Sequence, residues 1–93
     1  MSINELRDAI IMLADEFAIS KATLFGSRAA GTHSENSDID LILEFNKPIT
    51  LMVLASLKDR LEGLLGLNVD IIHGPIRETD MIEVGKVVEL YAA

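Results

Sequence analysis

The segment Asp38-Ile39-Asp40-Leu41-Ile42-Leu43-Glu44-Phe45 constrains the fold more than any other part of the chain. Its side chains alternate with a period of two, so it reads as a strand. Ile39, Leu41, Leu43 and Phe45 line one face; Asp38, Asp40, Ile42 and Glu44 line the other. A strand with one continuous apolar face needs partner strands beside it and helices or a second sheet over that face.

The rest of the chain supplies them in alternation. Ser2-Ile3-Asn4-Glu5 has the form of a capping box, in which Ser2 caps a helix and Glu5 reaches back to its backbone N–H. Ile3, Leu6, Ile10, Leu13 and Phe17 then recur at helical spacing, with Asn4, Arg7, Asp8 and Asp15 on the other side. Thr23-Leu24-Phe25 forms a short strand stopped by Gly26. Ser27 to Ala30 makes one helical turn ended by Gly31, and residues 32–37 are a polar loop. After the break at Asn46-Lys47-Pro48, Thr50 caps a long helix. Its buried stripe is Leu54, Leu57, Leu61 and Leu64, with Lys58, Asp59 and Glu62 outward, and Gly66 ends it. Asn68 to His73 is a third strand, stopped by Gly74-Pro75. Thr79 to Val84 forms a short helix, and Val87 to Tyr91 either a last strand or an extension of that helix. The order α-β-α-β-α-β-α-β describes an α/β domain: a small mixed sheet with helices packed on it, in a single unit spanning residues 1–93.

Composition narrows the function. The net charge of −7 excludes a nonspecific nucleic-acid binder, which needs a basic face. It does not exclude a nucleotide enzyme, because bound divalent cations reverse the local field. The absence of cysteine removes disulfides, thiolate metal sites and thiol nucleophiles. No basic segment followed by an apolar run opens the chain, and no apolar run is long enough to span a bilayer, so a cytoplasmic location is the default expectation. A mean hydropathy of +0.33 in a small chain hints at a buried interface, in a homo- or hetero-oligomer.

Three acids carry the chemistry. Asp38 and Asp40 leave the same face of one strand, separated by roughly 6.6 Å, twice the rise per residue. Like charges so placed repel, and an otherwise apolar strand gains no stability from them. A shared divalent cation reverses that repulsion. Asp70 is a lone acid in the apolar strand Asn68-Val69-Asp70-Ile71-Ile72. If that strand lies beside the first, three carboxylates meet on one face. Such a set suits Mg²⁺, which keeps waters and substrate phosphates in its shell, and a pair of ions for in-line phosphoryl or nucleotidyl displacement. Gly26-Ser27 adds a place for phosphate: a glycine without side chain, then backbone N–H groups opening a helical turn, then a hydroxyl. Gly26 and Gly31 have P-loop spacing, but Thr32-His33 stands where a P-loop needs Lys followed by Ser or Thr, and no G-x-G-x-x-G occurs.

Gly-Ser and Asp-x-Asp are each common alone. Gly26-Ser27, ten intervening residues, Asp38-Ile39-Asp40-Leu41 and a later Asp70 form a far more specific set. Gly26-Ser27-Arg28-Ala29-Ala30-Gly31 followed by Ser37-Asp38-Ile39-Asp40-Leu41 resembles the signature of the minimal nucleotidyltransferases, within the DNA polymerase β-like superfamily. Asn68-Val69-Asp70-Ile71-Ile72 resembles their third-carboxylate strand, and the likeness runs from the first helix to Tyr91. The resemblance implies the polymerase β-like nucleotidyltransferase fold. It implies metal binding by Asp38, Asp40 and Asp70, with Asp70 helping to activate the acceptor hydroxyl, and triphosphate binding by Gly26 and Ser27. Arg28 is retained, with contact to phosphate or a partner as its implied role. Many relatives carry a second arginine where this chain has Ala30.

The same resemblance implies a setting. One-domain members are often antitoxins of all-helical HEPN ribonuclease toxins, and some transfer AMP from ATP to a toxin tyrosine. Two alternatives stay open: neutralisation of the toxin by binding alone, and transfer to a small molecule such as an antibiotic. Other residues read as structural. His33 and His73 lack partners at metal-ligand spacing, Met12, Met52 and Met81 read as core or interface filler, and Lys58-Asp59-Arg60 reads as a solvated helix face.

Overall fold

A computed structural model describes residues 2–75 and 85–93. The alternating segment forms β2 (Ile39–Phe45), an inner strand of the sheet. Its neighbours are β1 (Ile19–Phe25), antiparallel, and β3 (Val69–His73), parallel; β4 (Val88–Ala92) pairs antiparallel with β1 at the far edge. The order β3-β2-β1-β4 is a mixed sheet, as the sequence leads one to expect. The last segment is strand rather than helix. The helix expected at 79–84 lies outside the described residues.

Two helices cover one face. In α1 (Ile3–Phe17), Leu6, Ile10, Leu13 and Phe17 are buried, joined by Ala9 and Ala14. Ile3 is 40 % exposed and lies outside the stripe. Ser2 caps the helix through a 3.1 Å bond from the Glu5 N–H to its Oγ. The return half of the capping box differs from expectation: Glu5 Oε1 accepts from the Ser2 hydroxyl at 3.4 Å. Helix α3 (Leu51–Leu65) is capped by Thr50, whose Oγ1 accepts from Val53 N–H at 3.1 Å, and is closed by Gly66 at φ 71°. Only Leu57 and Leu61 are fully covered; Leu54 is half-buried and Leu64 is 49 % exposed. The buried stripe is therefore narrower than the four leucines expected. The reason is position: α3 packs over the edge strand β3 and against α1, so only its inner line meets the sheet.

Ile39, Leu41 and Leu43 on β2, Leu24 on β1 and Val69 on β3 are almost wholly buried beneath these helices. The strand that contains Thr23-Leu24-Phe25 starts earlier than its β-formers indicate. Ala18 ends α1 in the left-handed conformation, φ 55°, and the chain enters β1 one residue later without a loop. Two contacts set the position of β3. Ile39 N–H donates to Asn68 O at 2.9 Å, and Val69 N–H donates to Glu62 Oε2 of α3 at 2.9 Å. Glu62, which the sequence places outward, thus binds the start of β3. Met12 and Met52 are 68 % and 82 % exposed and contribute nothing to the core; Met81 lies outside the described residues. No helix of the described residues is long and apolar enough to cross a membrane.

Candidate active site

The register of the parallel pair decides what the acids can do. Asp40 on β2 is the direct partner of Asp70 on β3. Neighbouring strands lie roughly 4.8 Å apart, so the two carboxylates project side by side from the face opposite the helices. Asp38 lies one residue before β2 and is exposed, as is Asp70, whereas Asp40 is half-buried. Asp38 thus approaches from the entry to the strand rather than from the ladder itself. The Asp40 carboxyl titrates above its ordinary range. Burial is the largest cause, followed by the negative charges of Asp70 and Asp38 and a hydrogen bond with Asp70. Both other acids thus act on Asp40.

Gly26 comes to the same place from the other side. Phe25 pairs with Asp40 across β1 and β2, so the residue after the strand sits over the Asp40 carboxylate. Gly26 has φ 75° and ψ −156°, a conformation that favours glycine. A Cβ there would collide with Asp40 Oδ2 and lie 3.2 Å from its Cγ. Two independent constraints, backbone and space, demand glycine. Ser27 follows at the start of the one-turn helix α2 (Ser27–Ala30), half-buried. The first i→i−4 bond of that turn runs from Ala30 N–H to Gly26 O at 3.1 Å. The amides before it, at Ser27, Arg28 and Ala29, have no partner within the helix and remain available to an acceptor.

Arg28 is placed differently from the other predicted residues. It is 8 % exposed. Its Nε and Nη2 donate to Ser37 O at 3.1 and 3.0 Å, and Nη2 also donates to Glu35 O at 3.3 Å. Those donors are occupied by the loop that ends at Asp38. The sequence marks residues 32–37 as a polar loop but not the turn within it or its contact with Arg28. The signal of that turn is Ser34-x-x-Ser37: Ser34 N–H donates to Ser37 Oγ at 2.9 Å, and Ser37 N–H to Ser34 O at 3.2 Å, closing a turn just before the first acid. His33 and His73 are exposed; His73 packs its ring against Phe45, 5.2 Å between centroids.

A groove of about 290 Å³ opens beside Asp70, lined by Leu51, Leu54, Ala55 and Lys58 of α3 and by Ile71. A larger groove, about 670 Å³, lies elsewhere, between Phe17 and Met52, and holds none of the three aspartates. Among the described residues, no group of three or more histidine, aspartate or glutamate side chains is placed to hold a metal ion. Carboxylate oxygens are the ligand type that Mg²⁺ takes, and that ion completes its shell with water and phosphate oxygens.

The comparisons with known proteins agree with this architecture. The family described as "Polymerase beta, Nucleotidyltransferase" matches residues 8–88. A Methanocaldococcus jannaschii protein, named as a candidate protein adenylyltransferase, is 39% identical over 72 residues, covering 77% of each chain. A solved structure of a candidate minimal nucleotidyltransferase superposes with a TM-score of 0.74 at 33% identity, over 95% of both chains. Two toxin–antitoxin complexes share the fold at lower identity. One, with AMP-PNP, has a TM-score of 0.76 at 23% identity, over 94% of this chain and 73% of that one. The other holds a tri-AMPylated Shewanella oneidensis HEPN toxin with its MNT antitoxin, at a TM-score of 0.71 and 18% identity, over 99% of this chain and 74% of that one. With that family's model matching residues 8–88, this chain belongs to the polymerase β-type nucleotidyltransferases.

Proposed function

We propose that this chain transfers AMP from ATP to a hydroxyl of a partner protein, as the antitoxin of a HEPN-type toxin. The observation that carries the reading is the meeting of Gly26, Asp40 and Asp70 at one point of the sheet. In this reading Gly26 and the amides that follow it, with the Ser27 hydroxyl, receive the triphosphate. Asp38, Asp40 and Asp70 would hold Mg²⁺, as a pair of ions in this reading. When bound, the metal neutralises phosphate charge and lowers the cost of forming an attacking alkoxide.

Asp70, exposed at the mouth of the α3 groove, takes the proton of the acceptor hydroxyl. The new bond joins that oxygen to the α-phosphorus, and the bond to pyrophosphate breaks. Leu51 favours a protein as acceptor over a small molecule. It is 84 % exposed at the start of α3 and lines the groove that contains Asp70. Apolar surface at the rim of a site suits a macromolecular partner. The relative named for adenylyl transfer and the complex with an AMPylated HEPN toxin support the same reading.

Intact-mass spectrometry on a HEPN toxin co-expressed with this chain provides the test. Added AMP is expected with the native chain and none with the double substitution Asp38→Asn, Asp40→Asn. Full transfer by the double variant would overturn the mechanism. Protection from the toxin by that variant, with no adduct formed by either protein, would favour neutralisation by binding.

A further inference from the structure

We infer that Arg28 is a positioning residue: its buried guanidinium ties the loop that delivers Asp38 to the turn that carries Gly26 and Ser27. This rests on Asp38 and Asp40 being metal ligands. Residues 31–36 are all exposed, and the segment Gly31-Thr32-His33-Ser34-Glu35-Asn36 contributes no apolar side chain to the core. Such a loop has little burial to hold it, and ordering it costs backbone entropy. Its local Ser34–Ser37 turn shapes the loop but does not fasten it to the domain.

Arg28 does the fastening. Three donor contacts reach the carbonyls of Glu35 and Ser37, and the second carbonyl belongs to the residue just before Asp38. On its other side the arginine is part of α2, one residue after Ser27. A single side chain thus spans the two halves of the site. Its planar fork can serve two carbonyls at once, which a lysine ammonium on a flexible stem does less well. Among the described residues Arg28 forms no ion pair, although it is 8 % exposed. A buried cation is costly unless its donors are satisfied, so these carbonyl contacts are also what makes its burial tolerable.

A rival role for Arg28 is direct contact with the triphosphate, and the two make different predictions. The experiment measures Mn²⁺ binding by electron paramagnetic resonance, ATP binding in excess Mn²⁺, and amide hydrogen exchange, for the full chain and for Arg28→Met and Arg28→Lys. Removal of an outer partner of a metal ligand costs roughly 10- to 100-fold in metal affinity. Arg28→Met is expected to weaken Mn²⁺ binding to that extent and to speed exchange in residues 32–38, while α1, α3 and the sheet exchange as before. Arg28→Lys is expected to recover part of both. Unchanged exchange at 32–38, or unchanged Mn²⁺ affinity, would overturn the inference. Weaker ATP binding with both of those unchanged would assign Arg28 to the phosphates instead. Asp38→Asn and Asp40→Asn serve as separate controls. If neither weakens Mn²⁺ binding, the metal-site reading falls, and exchange at 32–38 still decides whether Arg28 holds the loop.

Discussion

Asp40 and Leu41 are adjacent in the chain and point to opposite faces of β2. Leu41 is wholly buried beneath the helices, while Asp40 is half-buried among like charges. On the helix side every residue of the strand adds apolar burial, and the fold gains from each. On the other side the strand begins among acids that repel one another and beside a glycine that fits only because it has no side chain. One strand therefore carries both the stability of the domain and a local cost against it. The cost is set where substrate and metal would offset it.

The comparison breaks most sharply when the two neighbours are exchanged for neutral or smaller residues. Asp40→Asn is expected to lower AMP transfer by at least about a hundredfold, the upper end of what losing even an outer partner of a metal ligand costs. Circular dichroism should remain native. Leu41→Ala is expected to lose about 2–5 kcal/mol of stability, the usual range for a large-to-small core change, read from urea unfolding. In a domain this small that loss leaves little folded protein. If Asp40→Asn unfolds the chain, or Leu41→Ala leaves it as stable as before, the two faces do not divide their tasks in this way.

Gly26 lies between these extremes, because it serves both the backbone and the site. Gly26→Ala is expected to cost about 1–3 kcal/mol through backbone strain and to displace the Asp40 carboxylate. Transfer activity measured at a temperature where the variant is fully folded should still fall well below that of the native chain. Native activity in a folded Gly26→Ala protein would show that the close approach of turn and acid has no chemical purpose.

Much of this division was visible in the sequence. The alternation from Asp38 to Phe45 defined the two faces of β2, and the spacing from Gly26-Ser27 to Asp38 and Asp40 marked the candidate site, where the structure brings Gly26 against Asp40. What was missing depended on neighbours that a linear pattern cannot name. Leu54 and Leu64 fit the helical stripe as well as Leu57 and Leu61 do, yet an edge position leaves them partly open. Nothing local announces that Glu62 bonds Val69 N–H or that Arg28 is buried against loop carbonyls. A charged residue reads as outward until the partner that satisfies it is known. The entry into β1 was hidden for another reason. Ala18 makes a left-handed helix end without glycine, so no turn residue marks where the strand begins.

A cation should sharpen the comparison by relieving the acidic face alone. Mg²⁺ binding to the folded state stabilises it by RT ln(1 + [Mg²⁺]/Kd), about 1.4 kcal/mol at ten times Kd. Thermal melts should rise with Mg²⁺ for the native chain and for conservative core variants such as Leu41→Met. They should not rise for Asp40→Asn. An equal rise in Asp40→Asn would place the ion elsewhere.

The smallest effect is on pH dependence in the absence of metal, and its sign is fixed by the direction of the Asp40 shift. A carboxyl raised in the folded state holds its proton more tightly there than in the unfolded chain. Its contribution to stability is complete below the ordinary carboxylate range, about pH 4, and is lost as the pH rises through the folded value. Above that value the Asp40 carboxylate therefore works against the fold. An asparagine side chain cannot ionise, so in chelator-treated buffer Asp40→Asn should melt higher than the native chain at pH 7, and the gap should narrow as the pH falls toward 4. Melting curves across that interval check it. A gap that widens on acidification would mean that Asp40 is stabilised as a carboxylate. The acidic face would then be a source of stability, and the contrast with Leu41 would fail.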